Sequence, residues 1–145
     1  MSTSWRDFNQ NLIKDMRAHG GRPTGGPFMG RDVLILTTKG AKSGEIRENS
    51  LAYSRDNGHY VVIASRGGSP KNPAWYHNLR ANPVVTVEVL GERFDALAEA
   101  VDGEDYERLY EQHARRMPAF NEYRQRTSRK IPVIVLERIE AKGPG

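Results

Sequence analysis

Apolar residues recur at the helical interval from Trp5 through Phe8, Leu12 and Met16, and the pattern stops at the Gly20-Gly21 pair. Ser4 with Asp7 three positions on has the form of a capping box with a shortened acid, so an amphipathic helix is predicted to open the chain. From Gly20 to Gly30, five glycines and two prolines leave too little apolar surface to pack, and the stretch reads as a connector. The spacing then changes. Val33 to Leu36 with Thr37 and Thr38 is almost continuously apolar and β-branched, as in a buried strand. A turn at Gly40 to Gly44 leads to a second strand around Arg47 to Ser54. Asp56-Asn57-Gly58 supplies hairpin chemistry before a third, Tyr60 to Ser65.

After a loop from Arg66 to Pro73, Ala74 to Ala81 reads as a short helix closed by Asn82-Pro83, and Val84 to Val89 with Arg93 to Ala100 flank Gly91 as a second hairpin. Asp102 stands where it can cap a helix carrying Tyr106, Leu109 and Tyr110. Another short helix follows Pro118, and Ile131 to Leu136 is a last strand before a loose tail from Ala141 to Gly145. About six strands and four short helices, joined mostly as hairpins, predict a mainly β fold with peripheral helices. A closed or partly closed antiparallel barrel fits better than a doubly wound sheet. Residues 1–30 read as an N-terminal helix and linker, and residues 31–140 as the barrel domain.

Composition narrows the chemistry. The 145 residues suffice for one packed core. No stretch approaches the roughly 18 apolar residues of a membrane span, and the start lacks a basic segment followed by an apolar one, so an unexported, cytoplasmic chain is expected. With no cysteine there is no disulfide, thiolate nucleophile, iron–sulfur cluster or cysteine zinc site, and redox chemistry would have to come from a bound cofactor. The formal charge of +4 favours anionic partners.

That charge is concentrated. Thr37 to Arg47 packs three cations, three hydroxyls and two glycines into eleven positions. Glycines let the backbone approach an anion, N–H groups and hydroxyls donate to it, and Lys or Arg neutralises it. Taken alone, the run could equally be an exposed turn with solubilising lysines. Ser65-Arg66-Gly67-Gly68-Ser69-Pro70-Lys71 repeats the ingredients at the end of a later strand, and two such loops converging at strand ends would form a phosphate or polycarboxylate site. Neither loop is a G-x-G-x-x-G fingerprint or a lysine-terminated P-loop. Trp75, Tyr76, His77 and Asn78 follow on the next helix, where aromatics most often serve the core. The four histidines have no metal-pair spacing and are expected to face solvent or cap helices. Met117, Pro118, Phe120 and Tyr123 read as a helix packing its apolar side on the barrel.

Three blocks carry a resemblance. Leu36 to Leu51 (LTTKGAKSGEIRENSL), Ala64 to Pro83 (ASRGGSPKNPAWYHNLRANP) and Arg129-Lys130-Ile131-Pro132-Val133 occur in the order found in the deazaflavin-dependent nitroreductase family of actinobacteria, which the chain resembles from Val33 to Leu136. The resemblance implies a split β-barrel, related to flavin-mononucleotide-binding barrels, that holds coenzyme F(420). It implies an oxidoreductase passing a hydride from the reduced deazaflavin to hydrophobic conjugated acceptors: quinones, enones, aromatic lactones or nitro compounds. Lys42, Ser43, Gly44, Arg47 and Arg66 match positions that hold the coenzyme's phosphate and oligoglutamate tail, with Ala41 and Glu45 in the same turn. Ile46, Asn49, Ile63, Ala64, Ser65, Trp75 and Asn78 match positions around the tricyclic ring and its linker.

The acceptor pocket departs from the family pattern. Phe120 stands where the resemblance places a proton-donating or nitroimidazole-orienting tyrosine, and Met117 replaces another phenol, so poor nitroimidazole reduction is expected. Tyr123 keeps a phenol one turn further on and is the candidate proton source. Ser50 replaces a usual proline and is expected to loosen the second strand slightly. Rival readings are a flavin-mononucleotide- or haem-using barrel and a non-catalytic carrier of deazaflavin or fatty acid. A single-strand nucleic-acid barrel fits less well, because its aromatics belong on strands and these lie on helices. The chain reads as a monomer or homodimer, and the opening helix packs on the barrel, joins subunits or touches a membrane through Trp5, Phe8 and Leu12.

Overall fold

The computed structural model describes residues 5–26 and 28–139, without the side chains of residues 5, 6 and 67. The expected cap at Ser4 and the expected loose tail lie outside the described residues. In chain order the elements are α1 (Trp5–Ala18), β1 (Val33–Lys39), β2 (Ile46–Ala52), β3 (Ser54–Asp56), β4 (His59–Ile63), a 3-10 turn (Arg66–Gly68) and α2 (Ala74–Ala81). β5 (Val84–Val89), β6 (Glu92–Ala100), α3 (Gly103–Arg116), α4 (Ala119–Arg126) and β7 (Val133–Arg138) complete it.

Every strand pairing is antiparallel, and the order across the sheet is β2-β1-β5-β6-β7-β4-β3. The two edges, β2 and β3, are separated in the chain by Tyr53 alone, so the sheet curls until its borders meet in one continuous segment. This makes seven strands where the sequence predicted about six, and it divides the expected Arg47 to Ser54 strand. At the corner the Tyr53 N–H turns to Asp32 O (3.1 Å), while its buried ring meets Tyr60 edge-on at 5.4 Å. β2 pairs with β1 before the corner and β3 with β4 after it, a change of partner that no local spacing announces.

β1 is continuously apolar from Val33 to Leu36 because both of its faces are covered there. Leu34 and Leu36 point into the barrel, with Val62, Val87, Ile134 and Leu136. Val33 and Ile35 meet Leu12, Ile13 and Met16 of α1. Burying each of these side chains is worth about 1.5–3 kcal/mol, which outweighs the half-exposed ion pairs of Arg17 with Glu48 and Glu88. Asn9 ties α1 to β2: its Nδ2 donates to Glu48 O (2.8 Å), and its Oδ1 accepts from Ser50 N (2.8 Å) and Ser50 Oγ (2.7 Å). Ser50 thus secures β2 rather than loosening it, through a backbone donor that proline lacks.

α3 presents Tyr106, Leu109, Tyr110, His113 and Ala114 as one helical stripe against Val61 and Ile63 of β4 and Val133 of β7. Asp102 occupies its N-cap position but makes no side-chain cap; its carboxylate pairs with Lys130. His113 corrects the expectation of solvent-facing histidines. It is completely buried, with Nδ1 2.9 Å from Ser54 Oγ and Nε2 without a partner. Burial pushes its pKa down to about 4, helped by the charge of Arg116. Among the described residues no helix is long and apolar enough to cross a membrane.

Candidate functional site

The β1–β2 connection is a tight, backbone-closed turn. Gly40 N donates to Glu45 O (2.7 Å) and Gly44 N to Gly40 O (3.0 Å). A Cβ at Gly40 would stand 2.6 Å from Ser43 Oγ and 3.2 Å from Glu45 O, so a larger residue there would have to displace the serine hydroxyl. Lys42 and Ser43 are exposed on it, and Arg47 reaches back to Glu45 at 2.7 Å. The turn is held from α2: Asn78 Oδ1 accepts from Ala41 N (3.0 Å), and Asn78 Nδ2 donates to Thr38 Oγ1 (3.1 Å). Asn78, expected at the ring, is buried and spends its amide on this tie.

The two-residue period of β2 puts Arg47 and Asn49 on the side of Leu51, which packs on the barrel interior, and Ile46 on the side of Ser50. Ile46 is 66% exposed, a large apolar side chain left open beside the cationic turn. Period two likewise separates Ile63, packed under α3, from Ala64, which faces the barrel interior with Trp75. Trp75 is a core residue, only 5% exposed.

The second loop leaves β4 in an unusual path. Ser65 N folds back to Ile63 O (2.9 Å), and Arg66 takes φ +47, a left-handed conformation that a non-glycine residue adopts only when its surroundings enforce it. Gly68, at φ +84, lies directly on α4. A Cβ there would meet Arg126 Cβ at 2.9 Å and Tyr123 O at 3.0 Å. Arg129, which sequence reasoning gave no role, donates to four acceptors of the same stretch: Ser69 O (2.8 Å), Asn72 Oδ1 (2.6 Å), Ala64 O (3.2 Å) and Ser65 O (2.9 Å).

α4 adds the aromatic group. The Phe120 ring sits 4.5 Å from His113 at 85° and 5.1 Å from Tyr123 at 71°, and Tyr110 Oη donates to Phe120 O (2.7 Å). Met117, Phe120 and Tyr123 are all half-buried. A continuous series of contacts therefore runs from the β1–β2 turn through α2 and the second loop to α4. Among the described residues no group of three or more His, Asp or Glu is placed to hold a metal ion.

Exposed cations line this assembly. Lys39, Lys42, Arg66 and Lys71 are exposed and, among the described residues, have no carboxylate partner. Elsewhere Arg17, Arg108, Arg116 and Arg124 each have at least one carboxylate partner, while Lys14, Arg22, Arg31 and Arg115 have none among the described residues. Unpaired cations beside hydroxyls and close-approach glycines fit a polyanionic cofactor tail. The family model described as F420H(2)-dependent quinone reductase matches residues 10–138. The chain belongs to that family. An F420H(2)-dependent quinone reductase of Mycobacterium tuberculosis is 46% identical over 111 residues, covering 72% of each chain. Among solved structures, the F420-H2-dependent reductase FDR-A superposes with TM-score 0.68 at 39% identity, over 74% of this chain and 95% of that one. A structure described as a domain-swapped dimer superposes with TM-score 0.70 at 33% identity, over 92% of this chain and all of that one. The fold is the split barrel of these reductases, and the family's cofactor is F(420).

Proposed function

We propose that this chain binds reduced F(420) and passes its hydride to a quinone or a related conjugated acceptor. The observation that carries this is the pair of cationic loops whose Lys39, Lys42, Arg66 and Lys71 have no carboxylate partner among the described residues, braced by Asn78 on one side and by α4 and Arg129 on the other. Family membership supplies the identity of the donor. Bound reduced deazaflavin supplies the hydride. The protein supplies everything around it. Lys42, Ser43, Gly44, Arg47 and Arg66 hold the phosphate and glutamates, with the Ala41 and Glu45 backbone shaping the turn. Asn49, Ala64 and Ser65 border the ring, and the open face of Ile46 is available for apolar contact. Met117, Phe120 and Tyr123 form the acceptor side, where Tyr123 is the phenol able to release a proton. Excluding water and fixing the two reactants face to face are the main catalytic contributions.

Titrating the purified protein with F(420), flavin mononucleotide and haem, and then supplying a quinone to the reduced-coenzyme complex, tests the proposal. Tight F(420) binding with quinone-dependent coenzyme oxidation is expected. Preference for flavin mononucleotide or haem would overturn it, and binding without turnover would make the protein a carrier. The likeness to a domain-swapped dimer supports a homodimer, which the mass in solution checks.

A further inference from the structure

The segment Arg129-Lys130-Ile131-Pro132-Val133 stands out in the sequence, and the coenzyme reading leaves it without a task. In the fold it runs beside the second loop, where Ala64 N donates to Pro132 O (2.9 Å). Its first residue does more. Four of the donor contacts possible for one guanidinium converge on Ala64 O, Ser65 O, Ser69 O and Asn72 Oδ1, so Arg129 grips the loop both before and after Arg66. The carbonyls of residues 64, 65 and 69 lie past the end of β4, where a planar fork replaces the strand neighbour that would otherwise satisfy them.

Arg129 is half-buried and, among the described residues, has no carboxylate partner. Burial first, and then the nearby charge of Arg66, oppose its ionisation. A guanidinium kept at such a place and bonded only to neutral acceptors is set there for geometry. The loop it grips is the one with left-handed Arg66 and with Gly68 pressed on α4.

We infer that Arg129 is a positioning residue: by fixing the loop from Ser65 to Lys71 it holds Ser65 and Arg66 in the orientation that receives the coenzyme. This rests on the F(420) reading above. Lysine cannot substitute, because a tetrahedral ammonium has three donors and cannot span four acceptors in a plane.

The test compares the full chain with Arg129→Met and Arg129→Lys. Amide hydrogen exchange is measured first without coenzyme, then coenzyme affinity and the split between KM and kcat. In both variants exchange at residues 65–69 is expected to accelerate while the β1, β5 and β6 amides keep their protection. Coenzyme Kd and KM should rise at least about tenfold, and more than kcat falls, as expected for a misplaced binding loop. Unchanged exchange at 65–69 overturns the inference, as does loosened exchange with undiminished affinity. Recovery of affinity in Arg129→Lys also overturns it, because charge alone would then suffice. Should the unmodified protein fail to bind F(420), the functional proposal falls, and the coenzyme-free exchange still decides whether Arg129 orders the loop.

Discussion

At the scale of single residues, two questions separate: which coenzyme is gripped, and what is reduced. Lys42 and Arg66 bear on the first. Both are exposed and, among the described residues, have no carboxylate partner to release, so on the proposed function their removal is expected to cost binding without disturbing packing. The double variant Lys42→Ala/Arg66→Ala should weaken coenzyme binding about ten- to a hundredfold, with a near-normal thermal midpoint. Equal affinity in a fluorescence titration would remove these residues from the tail site. Phe120 bears on the second. Its ring lies between His113 and Tyr123, so Phe120→Tyr sets a phenol among aromatic neighbours already in place. Nitro-compound reduction should rise by about tenfold or more if a proton donor is what is missing. A flat rate with intact coenzyme binding would move the proton source elsewhere.

At the scale of elements, the site is legible in sequence wherever it is local. The glycines and cations of the β1–β2 turn and of the second loop sit in two short runs, and hydrophobic period two marks the strands that carry them. The braces are not local. Asn78 ties its own helix to a turn 37 residues earlier, and Asn9 reaches Ser50 across 41. The resemblance implied Asn78 as a ring neighbour and Ser50 as a weak point; in the fold each is also one half of a long-range hydrogen-bonded tie. The contact of the second loop with α4 makes a further prediction. Gly68→Ala places a Cβ 2.9 Å from Arg126 Cβ and 3.0 Å from Tyr123 O at a positive φ, and should cost about 1–3 kcal/mol while also loosening coenzyme binding. A thermal midpoint and Kd equal to those of the unmodified protein would show that α4 moves aside freely.

At the scale of the whole molecule, the closure of the sheet through Tyr53 and the seating of α3 govern stability. His113 makes the second titratable. Its folded pKa of about 4 lies below the ordinary histidine value, so between about pH 6.5 and 4 the unfolded chain binds the extra proton. Stability should consequently fall as pH drops through that window, by up to about 1.4 kcal/mol per unit from this residue. His113→Gln should flatten that slope in denaturant titrations taken across the window, and an unaltered slope would acquit the imidazole.

The sequence by itself determined the strand and helix alternation, the barrel class, the anionic character of the guest and, through three ordered blocks, the family, because each is written in local spacing or composition. Tertiary structure alone decided how β2 and β3 close the sheet, that His113 is sealed beneath Phe120, and that Arg129 holds the second loop. Those outcomes are set by the packing of the completed barrel; the Arg129 bonds, for instance, join residues 57 to 65 apart in the chain.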